Sequence, residues 1–536
     1  MDNALIADRL DAFAALLELA DANPYQPRAY RRAADALRAI EVPVEELVRN
    51  GRIRRVRGIG PGIEARLREL VQTGEIAELR ELEDELVPGL VGLGRFLGLT
   101  TKRSLEIARG LGARTPDEFR AAVAAGRLQS VPGVGPKLEA QVIAALAREP
   151  APRVLLLDRA QTLVGAIAAA LDGAVAGDVR RWRDTCERLA VVVAADEPDA
   201  VLARFAELPQ IVAMLAPGAA GAAARHARGL TIEGVPIELV VVPPGAFGTA
   251  LLAATGSPAY VEALGPLPPV PTEAAVYAAL GVPFVPPELR EAPFRGEPPR
   301  LLELDDIRGD LHCHTTWSDG RFSVEEMGRA ARARGYEYVA ICDHTPAVGA
   351  VQGLTADDVR RQGEEIAAAN ELLKPFRILR GIECDILPDG RLDLPDDVLT
   401  ELDWVQASVH GGQRMPRAEM TKRVTEALQH PAVSCLSHPT GRLITRRPEN
   451  ALDLERTFAV AKEHGVAVEV NGLTPRLDLS GEHVREALAA GVKIVCNTDS
   501  HSTQGLAGMR FAVHTARRGG ATAADVLNTR PLAELI

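Results

Sequence analysis

The last third of this chain of 536 residues repeats one arrangement. A short apolar run leads into a polar or metal-binding type of residue, and a segment of helical spacing follows. The runs cover 338–342, 377–382, 404–409, 467–470 and 492–496. Strands that alternate with helices pack as a parallel sheet, so from residue 304 onward the sequence predicts a parallel α/β fold closed into a barrel. The key string is Asp310-Leu311-His312-Cys313-His314. Residues two apart in a strand face the same side, so both imidazoles point together. Asp319 stands in a Ser-Asp-Gly turn, and His344 closes Cys342-Asp343-His344. Glu383 lies in Gly-Ile-Glu-Cys-Asp, His410 ends Ala-Ser-Val-His, and His438 lies in Leu-Ser-His-Pro-Thr-Gly-Arg. Asp499 and His501 belong to Asn497-Thr498-Asp499-Ser500-His501. Each stands at or just past the C-terminal end of a strand, the face where sites assemble in parallel barrels. One such histidine is more often structural. Six histidines, two aspartates and one glutamate at equivalent places are enough for more than one divalent ion. The mixture of imidazole and carboxylate suits Zn or Mn better than Mg alone. Arg414 and Arg442 lie just beyond ligand positions and are candidates to hold a substrate phosphate. His226, His430, His464, His483 and His514 lack the strand-end placement and read as surface or helix residues.

Composition removes several classes. Apolar residues make up 47% and charged residues 25%, an ordinary globular balance that excludes wholesale disorder. The net charge of −12 excludes a polycation that coats nucleic acid. That charge is regional: residues 1–150 hold 22 basic and 22 acidic side chains, and the rest holds 39 against 51. Ten of the eleven histidines follow residue 310, as a multi-metal site requires. No apolar run reaches the roughly 18 residues of a membrane helix. The nearest, 211–224, is broken by Pro217 and two glycines. The start, MDNALIADRL, is acidic and amphipathic, unlike a signal peptide. Six cysteines without a Cys-x-x-Cys pair form no disulfide framework, which points to a reducing cytoplasm.

Residues 1–150 read as helices, with apolar residues at helical spacing over 10–20 and 29–40. Two punctuations repeat: Val56-Arg57-Gly58-Ile59-Gly60-Pro61-Gly62-Ile63 and Val131-Pro132-Gly133-Val134-Gly135-Pro136-Lys137-Leu138. Gly51-Arg52 and Gly126-Arg127 precede them at matching distances, and a weaker copy covers 96–102. Residues 151–250 mix helix with strands expected over 189–194 and 237–242. Residues 251–303 are rich in proline and read as a linker-like segment.

The C-terminal motifs resemble the PHP (polymerase and histidinol phosphatase) family of metal-dependent phosphoesterases over about residues 305–536. The resemblance implies a distorted (β/α)7 barrel with up to three ions, usually Zn or Mn. One ion would take His312, His314, Glu383 and Asp499, the set expected to carry catalysis. A second would share Glu383 and add His410 and His438. A third would take Asp319, His344 and His501. The glycine repeats resemble helix–hairpin–helix elements, in which hairpin amides and a helix N-terminus hold DNA phosphates without reading sequence. This assigns DNA contacts to Gly58, Gly60, Gly62, Gly133, Gly135 and Lys137, with Arg52, Arg54, Arg55 and Arg57 clustered beside the first hairpin.

The order of parts is similar to the bacterial family-X DNA polymerases. Tyr30-Arg31-Arg32-Ala33, Ala176-Gly177 with Arg180-Arg181, Val241-Val242-Pro243-Pro244, Thr255-Gly256-Ser257 and Asn528-Thr529-Arg530-Pro531 also match. The resemblance implies an all-α helix–hairpin–helix region at 1–150, 8-kDa-like and fingers-like. An α/β nucleotidyltransferase-like palm remnant at 151–250, a shortened thumb remnant and linker at 251–303, and the PHP barrel at 304–536 follow. Departures cluster in the palm. The three carboxylates that would hold two ions for nucleotidyl transfer fall on Arg188, Ala190 and Glu238. An arginine and an alanine cannot bind a cation. The phosphate-binding Gly-Ser is here Gly177-Asp178, and the aromatic pair before Thr255 is Ala253-Ala254. The lysines of a deoxyribose-phosphate lyase fall on Gly62 and Arg66, and arginine forms no imine.

The expectation is a cytoplasmic DNA-repair nuclease acting at 3′ ends of gapped or nicked DNA without sequence preference. It would be a 3′–5′ exonuclease, with abasic-site endonuclease or 3′-phosphatase work open to the same centre, and with polymerase activity lost. The alternative is a working gap-filling polymerase with a PHP exonuclease. A scaffold with an inert barrel and a small-molecule phosphatase are weaker readings, opposed by the intact ligand set and by the hairpins respectively.

Overall fold

The computed structural model describes residues 25–38, 44–56, 58–86, 101–147, 154–215, 224–349 and 351–535, with scattered positions between 6 and 17 and at 97 and 99. Contacts group the chain into two units. The first comprises 1–155, 163–175 and 187–250; the second comprises 156–162, 176–186 and 251–536.

The first unit opens with helices Tyr25–Arg38, Val44–Arg49, Pro61–Thr73, Ala77–Leu86, Thr101–Leu111, Pro116–Ala124 and Pro136–Ala147. Ile6, Leu10, Phe13 and Leu17 recur at helical spacing and share one buried cluster with Ala33, Leu37, Ile63 and Leu67. Other residues of the helix expected over 10–20 lie outside the described residues, as do Arg57 and residues 96, 98 and 100 of the third hairpin copy. The two clear hairpins are the same backbone built twice. Val56 donates to Ile53 O, Ile59 to Val56 O and Glu64 to Gly60 O, at 3.0, 3.2 and 2.9 Å. Val131, Val134 and Glu139 repeat this on Leu128, Val131 and Gly135, each at 3.1 Å. Gly58 (φ 93°) and Gly133 (φ 77°) take the left-handed turn, which a side chain would strain. Ile53, Ile59 and Ile63 anchor the first hairpin, and Leu128 and Val134 the second.

Strands β1 (Leu189–Ala194), β2 (Ile211–Leu215), β3 (Arg225–Thr231) and β4 (Pro236–Val242) also lie in this unit. They are hydrogen-bonded in the order β1-β4-β3-β2. The pairing of β1 with β4 is parallel and sets Ala190 opposite Glu238. Two of the three palm positions are therefore neighbours in space, and only one of those two carries a carboxylate.

In the second unit, seven strands form a nearly closed parallel barrel: β5 (Gly309–Cys313), β6 (Tyr338–Ile341), β7 (Arg377–Asp385), β8 (Trp404–Ser408), β9 (Cys435–Leu436), β10 (Ala467–Asn471) and β11 (Ile494–Asn497). Neighbours in sequence are neighbours in the sheet. The seam between β5 and β11 is bridged where His314 donates its N–H to Ser500 O at 2.9 Å. Alternate residues fall in different cores, as period two requires. Ala340, Cys342, Leu379 and Val495 belong to one buried cluster. Val339, Ile341 and Ile378 pack instead with helix residues Val324, Met327 and Ile366.

The proline-rich segment read as a linker is folded. Ser257 and Thr272 cap the helices Pro258–Leu264 and Glu273–Leu280 by accepting from the Tyr260 and Ala275 amides. Pro258 occupies the first helical position, where no N–H is needed. Arg290 is fully buried and bonds Val285 O at 2.8 Å and the Glu273 carboxylate. Proline density signalled helix starts and turns here, not loose chain.

Glu288 anchors this segment to the barrel helix Met509–Arg518. It accepts from His514 Nδ1 at 2.8 Å and from Arg517 Nε at 2.7 Å. Burial alone would raise its carboxyl, but these partners outweigh burial and hold it down at about 2. A carboxyl held below its unfolded value stabilises the fold at neutral pH and loses that contribution as pH falls from about 4.5 towards 2. Glu288→Gln is expected to lower stability at pH 7 by about 3 kcal/mol. The gap from wild type will narrow between about pH 4.5 and 2. Urea unfolding at a series of pH values, followed by tryptophan fluorescence, checks this, because Trp182 stacks on His514 at 3.6 Å.

Candidate metal centre

The barrel strands deliver all nine candidate ligands to its C-terminal end. His312 Nε2 and His314 Nε2 face each other at 3.1 Å, and His314 Nε2 lies 3.1 Å from Asp499 Oδ1. Glu383 Oε2 stands 3.5 Å from His312 Nε2 and 3.6 Å from His314 Nε2. Its other oxygen meets His438 Nε2 at 2.8 Å and His410 Nε2 at 3.5 Å. Asp319 meets His501 Nε2 at 3.1 Å and His344 Nε2 at 3.7 Å. By donor spacing alone, three sets lie within 4.8 Å: His314, Asp319, His344 and His501; His312, His314 and Asp499; His344, Glu383 and His410. His438 joins through Glu383.

The donor set fits divalent ions. Buried His314 Nδ1, His344 Nδ1, His438 Nδ1 and Glu383 Oε2 have no hydrogen-bond partner. His344 Nδ1 and Glu383 Oε2 lie 2.9 Å apart yet are out of line for a hydrogen bond. Buried polar atoms left bare in this way are costly unless something else satisfies them. Two of the candidate ligands, His438 (φ 23°) and Asp499 (φ 53°), also adopt the left-handed conformation, a strain that clusters at functional sites.

Burial works against every charge here, and at most of these residues the cluster outweighs it. Burial would raise Glu383, but His410, His344 and His312 hold it well below the usual carboxylate range. Asp499 is likewise held low, against burial, by His312 and His314. Burial would lower His312, but Glu469, Glu383 and Asp499 hold it well above the ordinary imidazole value. His501 is raised to about 9 by Asp319 and Asp499, again against burial. His314 goes the other way, lowered by burial and by neighbouring His501. Imidazoles that keep protons at neutral pH must shed them to bind a cation. Calorimetric titration of the metal-free protein with Mn²⁺ in buffers of different ionisation enthalpy is expected to show net proton release at pH 7. Affinity will rise with pH as His312, His344 and His501 lose their protons.

Behind the ligands stand carboxylates that the sequence reading did not single out. Glu469, on β10 and fully buried, accepts from His312 Nδ1 at 2.7 Å, the His438 amide at 2.8 Å and Asn497 Nδ2 at 2.9 Å. Asp385 takes the His410 amide at 3.1 Å and lies 3.3 Å from its Nδ1. Asp343 ties down the turn before Asp319 by accepting from Thr315 N at 2.8 Å and Thr315 Oγ1 at 2.6 Å. A carboxylate inside an apolar run, as in Ala-Val-Glu-Val-Asn, was the available signal, because a buried charge must be paired.

Of the two arginines expected to hold a substrate phosphate, Arg442 is engaged elsewhere. Arg414 is exposed. Arg442 donates to Arg476 O at 2.9 Å and to Leu477 O, and pairs with Asp184 at 3.0 Å. Its guanidinium is thus committed to the protein. Arg476 instead faces the centre, with Nε 3.9 Å from Asp499 Oδ2.

Elsewhere, Gly58, Gly60, Gly62 and Gly135 have open space where a Cβ would stand, and Lys137 is exposed. The Arg103 guanidinium donates to Gly133 O. The helix Pro61–Thr73 begins at Gly60 with no side-chain cap, and Pro61 at its first position needs no N–H partner. Arg66 is paired with Glu69 and Glu78. Among the palm positions, Arg180 binds Glu273 at 2.6 Å, and Arg181 binds Asp178 and Glu291.

Comparison with known proteins follows the same layout. A helix-hairpin-helix domain model matches residues 1–76, and a PHP domain model matches residues 310–472. The chain is 34% identical over 560 residues to the DNA polymerase/3'-5' exonuclease PolX of Bacillus subtilis (strain 168), across 98% of this chain and 97% of that one. It is 35% identical over 201 residues to a probable phosphatase of Acetivibrio thermocellus, across 36% of this chain and 78% of the phosphatase. A probable phosphatase of Thermoanaerobacter sp. (strain X514) is 28% identical over 231 residues, 41% of this chain and 89% of that one. A likeness running from the hairpin region through the metal-binding barrel makes this chain a member of the PolX family of bacterial family-X DNA polymerases with a C-terminal PHP domain.

Proposed function

We propose that this chain is a DNA phosphoesterase that trims 3′ ends as a 3′–5′ exonuclease, using ions held in the barrel, and that its palm no longer polymerises. The observation that carries the reading is the convergence of five imidazoles, those of His312, His314, His344, His410 and His438, on one buried carboxylate, Glu383. His312, His314, Glu383 and Asp499 would hold one ion, Glu383 with His410 and His438 a second, and Asp319, His344 and His501 a third. Zn or Mn suits this set, with Mg as a further candidate. Divalent ions there supply Lewis acidity toward a phosphoryl oxygen and acidify water at neutral pH.

The remaining work falls to the chain. Arg476 offers positive charge beside Asp499 and would orient the scissile phosphodiester. The hairpin amides at Gly58, Gly60, Gly62, Gly133 and Gly135, with Lys137, would hold the DNA backbone of gapped or nicked substrates. Abasic-site endonuclease and 3′-phosphatase activities need the same phosphoester chemistry and are open to the same centre. All six cysteines are unpaired and buried, which suits a cytoplasmic protein.

Loss of polymerase activity is supported by Ala190 standing opposite Glu238, and by Arg180 and Arg181 being neutralised internally. A second reading, a working gap-filling polymerase, is favoured by one observation: the full-length likeness to a relative named as both polymerase and exonuclease. One assay separates them. A gapped duplex labelled at the 5′ end of its primer is incubated with Mn²⁺ and all four dNTPs, beside a His312→Ala/His314→Ala variant. Shortening by wild type alone is the expected result. Template-directed lengthening would overturn the loss of polymerisation.

A further inference from the structure

The chain segments 156–162 and 176–186 belong to the same unit as the barrel, although the sequence aligns 176–186 with the nucleotide-holding part of a palm. We propose that these segments have become a positioning element of the nuclease. Asp184 acting through Arg442, and Asp158 acting on Thr474, hold the loop 473–479 that presents Arg476 to the metal centre. The inference rests on the phosphoesterase reading above.

Three observations carry it. First, Arg442 is a junction and not a surface arginine. Its side chain is 12% exposed and that of Asp184 19%. Besides the 3.0 Å pair with Asp184, Arg442 donates Nε to Arg476 O at 2.9 Å and Nη2 to Leu477 O. Without Asp184, a largely buried guanidinium would bind two carbonyls with less of its charge balanced, which is costly. Second, the loop has an independent tie. Thr474 Oγ1 donates to Asp158 Oδ2 at 3.0 Å, across 316 positions in sequence. The two palm-derived segments are themselves joined, since Leu157 donates its amide to Asp184 O at 3.2 Å. Third, the loop needs holding. Leu477, whose carbonyl Arg442 grips, sits at φ 43°, a conformation that a leucine adopts only when its surroundings impose it. Ile444 also bonds Pro475 O at 2.8 Å, which links the loop to the one that follows His438. Arg476 leaves this braced turn with its Nε 3.9 Å from Asp499. Arg447 lies near enough for burial and the Arg476 charge to lower its own guanidinium.

The test uses the full chain and the variants Asp184→Asn, Asp158→Asn and Arg476→Ala, with bis(p-nitrophenyl) phosphate as the probe. Metal content per chain should match wild type in all three. Hydrogen exchange over 473–479 should speed up about tenfold in Asp184→Asn and Asp158→Asn, as expected for the loss of one or two modest interactions. KM should rise about 5–10-fold with kcat within about twofold, the mark of lost substrate binding. Combining Asp184→Asn with Arg476→Ala should add nothing beyond Arg476→Ala, because both act through one guanidinium. Asp184→Glu should restore part of the KM. Unchanged exchange over 473–479, or KM effects that add in the double variant, overturns the proposal. If Asp184→Asn does not fold, Asp158→Asn decides the outcome, since it only exchanges the charged acceptor of one peripheral hydrogen bond for a weaker neutral one. If wild type hydrolyses no phosphoester, the functional reading fails, and the exchange measurement still decides whether the palm-derived segments brace this loop.

Discussion

Replacing Glu383 by glutamine is expected to lower metal-dependent phosphodiester hydrolysis by at least about 10²–10³-fold, the scale of losing one well-aimed charge at a reacting centre. The residue justifies an effect of that size by where it stands. Five imidazoles, those of His312, His314, His344, His410 and His438, meet its two oxygens within 3.6 Å. No other ligand touches so many, so its loss disturbs several ion positions together. Glutamine keeps the shape but offers one neutral oxygen and an NH₂ that points at lone pairs. Elemental analysis after dialysis should show fewer ions per chain than wild type. The fold should survive, because His312 and His344 are held up by carboxylates that include Glu383 and will shed their protons more readily once it is neutral. Near-wild-type thermal unfolding of the metal-free variant, beside lost activity and lost metal, is the expected pattern. Unchanged metal content would show that Glu383 is not a ligand.

The grouping of the nine candidate ligands was legible because they stand at or beyond the ends of short apolar runs, and a parallel barrel gathers strand ends by construction. The hairpins were legible for a similar local reason: Gly58 and Gly133 occupy left-handed turns that two short motifs repeat at the same offsets. What the sequence did not disclose depends on distant partners. Arg442 follows His438 closely and so reads as a phosphate holder, yet the carbonyls that engage it come from residues 476 and 477. Arg476 sits in a loop with no periodicity to mark it. The segment 251–303 misled for another reason. Its prolines and glycines are turn signals, and sequence pattern cannot tell a turn between packed helices from a turn in a tether. Only the buried Arg290–Glu273 pair and the contact between the Tyr260 and Tyr277 hydroxyls at 2.7 Å reveal a core.

Glu469 offers the second large effect, and it separates structure from metal binding. Its carboxylate accepts from donors on β8, β10 and β11 and from His312, Ser437 and the His438 amide. Burial would raise its carboxyl, but His312 above all holds it down, so it remains an anion between two ligands. The proton on His312 Nδ1 is thereby directed to Glu469, which leaves Nε2 free to face Glu383 and Asp499. Glu469→Ala strips buried donors of their acceptor and leaves a cavity. It should cost about 3–5 kcal/mol of stability in the metal-free protein. Glu469→Gln keeps the volume and one acceptor oxygen, so it should cost much less. Even so, it offers His312 a weaker acceptor, and metal affinity should fall about 10–100-fold. Competition with a chelator of known affinity reads the second effect, and chemical unfolding of the metal-free variants reads the first. Glutamine affinity equal to wild type would mean that the ligands orient themselves and that Glu469 only fills space. A loss in Glu469→Gln without matching loss of stability assigns the carboxylate to the ions, because the fold itself does not require its charge.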